Sequence, residues 1–191
     1  MAQGTRLSAE DWTAAALVAL GEGGLRAVAV EPLATRLGTT KGSFYWHFRN
    51  RDALLAAALQ RWEKIDTEDV IRLAERAESP HARLRFLLIG ALRDNPELPT
   101  GNAVELALQA SAAHPLVAPV LQRVTRRRLA YLASLFTALG FDDPEAARRS
   151  LLAYTAYLGH AQLVHATPEL APQGAELEAY VEAVLARLTG T

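Results

Sequence analysis

Apolar residues recur at helical spacing along nearly the whole chain. Val30, Leu33, Ala34 and Leu37 stand at i, i+3, i+4 and i+7, which predicts a short amphipathic helix with one buried face. Ahead of it, Trp12, Ala16, Ala19 and Leu20 line one face of a helix that Ser8 opens as N-cap. Glu10 and Asp11 follow in the first turn, where the helix dipole favours acids, and Gly21, Gly23 and Gly24 close the helix. Those glycines lack both the spacing and the Gly-Lys-Ser/Thr ending of a phosphate-binding loop.

Further along, Asn50 caps a helix carrying Leu54, Leu55, Ala58, Leu59, Trp62 and Ile65, which either runs on through Val70, Leu73 and Ala77 or breaks near Asp66. Ser79-Pro80 opens another, with Leu84, Leu87, Leu88, Ala91 and Leu92 inward, and Asn95-Pro96 and Pro99 make a loop. A helix from about Thr100 to Ala113 is ended by His114-Pro115. The next takes Val117, Leu121, Val124, Leu132, Leu135 and Leu139 as its seam, tolerates Pro119 near its first turn and stops at Gly140. Asp143-Pro144-Glu145 reads as N-cap, proline and first-turn acid of a helix to about Ala166. Leu177, Tyr180, Val181, Val184, Leu185 and Leu188 trace a last stripe over about 174–189. No segment has the alternation of a strand and none repeats, so the predicted fold class is all-α with about nine helices.

One stretch departs from core logic. Thr39-Thr40-Lys41-Gly42-Ser43-Phe44-Tyr45-Trp46-His47-Phe48 crowds aromatic rings, hydroxyls and a lysine into ten residues. The Val30 helix ends at Gly38, which takes a left-handed conformation without a Cβ penalty, and a second helix begins at once. Two helices across a short glycine turn form a helix-turn-helix, whose second helix enters the DNA major groove. Phe44 and Phe48, at i and i+4, plug the core and leave Thr40, Lys41, Ser43, Tyr45, Trp46 and His47 outward.

The run Gly38 to Phe48, followed by Arg49-Asn50-Arg51-Asp52-Ala53-Leu54-Leu55, resembles the DNA-binding motif of the TetR family of bacterial transcriptional regulators. The resemblance extends from about Trp12 to Leu59, roughly a quarter of the chain. It implies a homodimeric repressor with a three-helix DNA-binding head at residues 1–50 and a helical ligand-binding and dimerisation domain at residues 51–191. Family members often carry Thr-Val-Arg or Thr-Thr-Arg where this chain has Ala29-Val30-Glu31, so a hydroxyl N-cap is missing and an anion replaces a cation. Glu31 then complements its helix dipole in place of reading DNA.

Positioning and reading of DNA separate physically. Thr39, Thr40, Lys41, Tyr45 and His47 suit phosphates, with Gly42 among them and the backbone amides at the helix start adding to this. Ser43, Tyr45 and Trp46 suit base edges and thymine methyls, and Arg51 matches the family's phosphate-contacting basic residue. Tyr45 and Trp46 have packing between head helices as the alternative. For a small-molecule effector the candidates are Trp62, Asn102, Glu105, Gln109, Arg128, Tyr154 and Tyr157. Asn102, Glu105 and Gln109 share a face that is either solvent or pocket, and the two tyrosines have either pocket or interface roles. Arg128 fills the missing step of the 117–135 seam. It either points inward to pair with a carboxylate such as Glu105 or an anionic ligand, or snorkels at the rim.

Composition narrows the classes. Half of the 191 residues are hydrophobic, enough for a sizeable core. There is no cysteine, which excludes disulfides, thiol catalysis and cysteine-based zinc sites. Net charge is −1, divided between a head with eight Lys/Arg against six Asp/Glu in residues 1–64 and a body with twelve against fifteen in residues 65–191. The five histidines share no metal-binding spacing, no nucleophile turn or dinucleotide loop is present, and no enzyme, cofactor or metal is expected. Met-Ala-Gln-Gly-Thr-Arg lacks an apolar signal core, and no segment has the length of a membrane span, which predicts a cytoplasmic protein. Residues 150–168 hold no Asp, Glu, Lys or Arg, so their helix is expected to be buried on most sides. With the last stripe it predicts a four-helix dimer interface through about 144–166 and 174–189. The expected function is an operator-binding dimer whose DNA affinity a small molecule changes, by release or as co-repressor. The alternative is a helical binding protein without specific DNA recognition.

Overall fold

The computed structural model describes residues 7–93 and 101–190, so the expected loop at Asn95–Pro99 and the start of its following helix at Thr100 lie outside the described residues. The elements are α1 (Ala9–Ala27), α2 (Val30–Arg36), α3 (Lys41–Tyr45), α4 (Arg51–Glu63), a π-helical segment (Lys64–Asp69) and α5 (Val70–Ala74). They continue as α6 (Pro80–Leu92), α7 (Gly101–Ala110), α8 (Ala118–Ala138), α9 (Asp143–Ala166), a 3-10 turn (Pro168–Leu170) and α10 (Gly174–Thr189). Counting 51–74 as one helical run, there are nine helical rods and no strand among the described residues. The chain forms two compact units, one within Met1–Lys64 and Pro96–Leu121 and the other within Ile65–Asn95 and Gln122–Thr191.

Capping chemistry sets most helix starts. The Ser8 hydroxyl accepts from Asp11 N at 3.3 Å and the Asp11 carboxylate accepts from Ser8 N at 2.7 Å, a reciprocal capping box. Asn50 Oδ1 accepts from Ala53 N at 2.8 Å, and Ser79 Oγ from Ala82 N at 3.1 Å. The α9 cap differs from expectation. Asp142 accepts from Glu145 N at 2.8 Å, and Asp143 with Pro144 forms the first turn, because a carboxylate reaches an amide three residues ahead.

The glycines of α1 also divide. Gly21 stays helical, and a Cβ there would meet the Ala103 and Val104 side chains of α7 at 3.4 Å, so its bareness serves close packing. Gly23 and Gly24 leave helical geometry, Gly24 at φ 66°, and kink the helix where a complete stop was expected. The run after Arg51 neither breaks at Asp66 nor continues as regular α-helix. It passes through the π-helical segment, which hydrophobic spacing alone does not signal.

In the first unit, Trp12, Ala16, Leu17 and Leu20 of α1, Leu33 of α2, Phe44 of α3 and Leu54, Leu55 and Leu59 of α4 are all buried. The Trp12 and Phe44 rings meet edge-on at 5.3 Å, and Phe44 stacks on Phe48 at 5.7 Å, an arrangement aromatic quadrupoles favour. The second unit closes over Leu84, Leu88 and Leu92 of α6, Tyr131, Leu135 and Phe136 of α8, and Val181, Leu185 and Leu188 of α10. His160 of α9 is buried, with Nε2 2.9 Å from the carbonyl of Leu92, the last residue of α6, and its ring stacked on Tyr180. Within the single chain α9 leaves Leu151 and Leu152 54% and 57% exposed, so burial on most sides, expected together with a dimer interface, is not reached by this chain's own packing.

Candidate functional site

The head presents its unusual residues through a short scaffold. Gly38 takes φ 61°, and the Thr39 amide donates back to the Ala34 carbonyl at 2.9 Å, which turns the chain sharply between α2 and α3. α3 is only Lys41–Tyr45, and it is fixed by burial of Phe44 within it and Phe48 just beyond. Anchoring at those two rings directs the intervening side chains outward. Thr40, Lys41, Gly42, Tyr45 and Trp46 are exposed, while Thr39, Ser43 and His47 are half-buried. Trp46 is 81% exposed and Tyr45 56%, so neither ring is packed between head helices, although Tyr45 touches the edge of Phe44 at 5.2 Å. Large exposed aromatics lose apolar burial, and here they stand among donors within the short run Thr40 to Trp46.

The cations of the head are unequally engaged. Arg36 pairs with Glu22 of α1. Lys41 Nζ lies 2.8 Å from Glu31 Oε1; the hydrogen bond and charge of each hold the Glu31 carboxyl below its usual range and the Lys41 ammonium above its own. As expected from Ala29, α2 begins without a side-chain cap, but Glu31 does more than complement a dipole. Arg51 Nε donates to the Val28 carbonyl at 2.7 Å and a terminal nitrogen donates to the Leu25 carbonyl. Its guanidinium thereby binds the carbonyls at the end of α1, a favourable place for a cation. Arg49, exposed and without an ion pair among the described residues, was absent from the expected set. Its place beside the aromatic run was the available signal.

The candidate effector residues fall into both compact units. In the first, Trp62 of α4 is fully buried and Glu105 of α7 is 1% exposed, accepting from Gln109 Nε2 at 2.9 Å. The Asn102 amide nitrogen is buried without a hydrogen-bond partner among the described residues. The 102–105–109 face is therefore turned inward, and burial of a carboxylate there costs enough that it needs such partners. In the second unit, Arg128 Nε donates to Thr67 Oγ1 at 3.0 Å, and a terminal nitrogen donates to the Asp66 carbonyl at 3.2 Å. Arg128 thus points inward from the α8 seam, and its neighbour Arg127 pairs with Glu68 at 3.1 Å. Tyr154 is buried with its hydroxyl 3.3 Å from Thr125 Oγ1, and half-buried Tyr157 lies 6.1 Å away, ring to ring. Among the described residues no group of three or more His, Cys, Asp or Glu could hold a metal ion, and no helix is long and apolar enough to cross a membrane.

Residues 13–58 match the family model described as "Bacterial regulatory proteins, tetR family". No curated protein sequence matches the chain. A transcriptional regulator from Rhodococcus sp. Rha1 has a TM-score of 0.78 to this chain at 24% identity, over 96% of this chain and 95% of that one. A protein from Saccharomonospora viridis, solved in complex with choline, has a TM-score of 0.76 at 17% identity over 92% of each chain. AibR, solved with isovaleryl coenzyme A and operator DNA, has a TM-score of 0.68 at 16% identity, covering 95% of this chain and 97% of that one. At these identities the likenesses show a shared fold.

Proposed function

We propose that this chain is a member of the tetR family whose model its residues 13–58 match, a transcriptional regulator that binds a palindromic operator as a dimer and responds to a small molecule. The observation that carries this reading is the exposed patch of Lys41, Tyr45 and Trp46, held by a turn of helix that Phe44 and Phe48 anchor in the core. Thr39, Thr40, Lys41, His47 and Arg49 take phosphates, and Ser43, Tyr45 and Trp46 meet base edges. DNA recognition lies in residues 1–50, and effector binding and self-association in residues 51–191. A regulator of this kind works in the cytoplasm, where the operator is.

Self-association is supported by the exposed leucines 151 and 152 on α9, which a second copy would cover together with α10. Two heads then meet the duplex about 34–36 Å apart, one helical turn, or a related distance. Effector response is supported by the choline and isovaleryl coenzyme A bound to proteins of the same fold. It is supported also by α7, which carries Asn102, Glu105 and Gln109 and packs on α1 within the compact unit that holds the head. A molecule that moves α7 acts on the helix supporting the recognition turn. Coupling of this sort is typically about 1–3 kcal/mol and reciprocal, so operator DNA weakens a releasing ligand equally.

The test is selection of duplexes from a random pool by the purified protein, alongside a Tyr45→Ala/Trp46→Ala variant. Recovery of a palindrome by the wild type, lost in the variant, is expected. A folded dimer that enriches nothing at low salt, alone and in cell extract, would favour the helical binding protein without DNA recognition.

A further inference from the structure

Lys41 is the one cation within α3, and its ammonium is held by Glu31 from the neighbouring helix at 2.8 Å. Both side chains are more than half exposed, 53% for Lys41 and 73% for Glu31. An ion pair so open to water adds little to folding, so stability does not account for it. The pair instead lies on the surface that carries Thr40, Tyr45 and Trp46. There a phosphate and the Glu31 carboxylate require the same ammonium. Arg36 is occupied by Glu22, which leaves the head fewer available cations than its composition suggests.

We propose that Glu31 is an internal competitor for DNA phosphate: it holds the Lys41 ammonium in the free protein and stays beside it on the duplex, so that Lys41 makes only part of the phosphate contact it otherwise would. The inference rests on the DNA-binding reading above and goes beyond it by assigning a role to a residue outside the expected contact set. Phosphate contacts are blind to sequence, whereas base-edge contacts are not. Glu31 therefore weakens binding to every duplex alike and leaves discrimination to Ser43, Tyr45 and Trp46. The head trades general affinity for a larger share of sequence-dependent binding, and its affinity falls less steeply with salt than a free lysine would make it.

The experiment measures affinity against salt concentration for the full-length wild type and for Glu31→Gln, Lys41→Gln and the double variant. Two labelled duplexes serve as probes, one enriched from the random pool and a scrambled one of equal length. Helical circular dichroism checks that each variant is folded. Each head that gains one phosphate contact should steepen the slope of log K against log salt by about 0.9, equivalent to roughly eightfold tighter binding at about 0.1 M salt. Glu31→Gln should show this gain on both duplexes and lose most of it when Lys41→Gln is also present. Equal slopes for wild type and Glu31→Gln would overturn the proposal while leaving DNA binding intact. A gain that persists undiminished without Lys41 would overturn it too, since Glu31 would then repel phosphate directly. If the wild type binds neither duplex, binding gained by Glu31→Gln supports both the competitor and the DNA-binding reading, and no binding by either overturns both.

Discussion

Arg128 Nε donates at 3.0 Å to the hydroxyl of Thr67, a residue only 1% exposed, and the same guanidinium reaches the Asp66 carbonyl at 3.2 Å. Both acceptors lie on the π-helical segment Lys64–Asp69. A hydroxyl and a carbonyl presented together by an irregular turn suit a rigid guanidinium fork, which lysine lacks. Arg128→Met should lower the stability of the second unit by about 1–3 kcal/mol, since it leaves a buried hydroxyl without its donor. Arg128→Lys should recover only part of the loss. Urea unfolding followed by circular dichroism measures both, and an unchanged midpoint for Arg128→Met would remove the anchor role.

Trp46 offers a direct optical test of the head. Of the three tryptophans, Trp12 and Trp62 are fully buried and Trp46 is 81% exposed. Iodide should quench one emission component, and Trp46→Phe should abolish that component. An enriched duplex should protect it from the quencher, whereas a scrambled duplex at high salt should not.

Arg51 predicts a dissociation of stability from DNA affinity. With two donors on the carbonyls of Val28 and Leu25, Arg51→Ala should destabilise the head by about 1–2 kcal/mol. The slope of affinity against salt should stay near that of the wild type. A slope shallower by about 0.9 per head, with thermal unfolding unchanged, would instead assign Arg51 to a phosphate.

Acid should weaken the start of α1. Hydrogen bonds from the Ser8 amide and then the Ser8 hydroxyl hold the Asp11 carboxyl below its ordinary value of 3.8. The folded value lies below the unfolded one, so this contribution is complete above 3.8 and disappears as pH falls through the lower folded value. Asp11→Asn should unfold more readily than wild type at neutral pH, and the difference should close in strong acid. A difference that stays constant with pH would mean that Asp11 acts only through packing.

Much of this was legible because local rules act over a few residues. Ser8, Asn50 and Ser79 cap as side-chain oxygens do wherever an amide three residues ahead is unpaired, and Gly38 turns left-handed because it has no Cβ. Phe44 and Phe48 could be assigned to the core by spacing, and the outward set followed from them. At Asp142 and Asp143 two adjacent carboxylates compete for one cap, and neighbouring residues cannot decide between them. The same limit hid Gly21, whose reason for lacking a side chain is a helix that begins some eighty positions later in the chain.

What the sequence by itself determined is the periodic burial of helices and the glycine turn with its outward aromatic run, because both depend on residues three, four or seven apart. The tertiary structure alone decided which charges meet: Lys41 with Glu31, Arg51 with the end of α1, and Arg128 with Thr67. Long side chains on separate helices find partners only after the backbone has packed. The availability of each cation to DNA or to a ligand is therefore a property of the fold, although every cation is visible in the sequence.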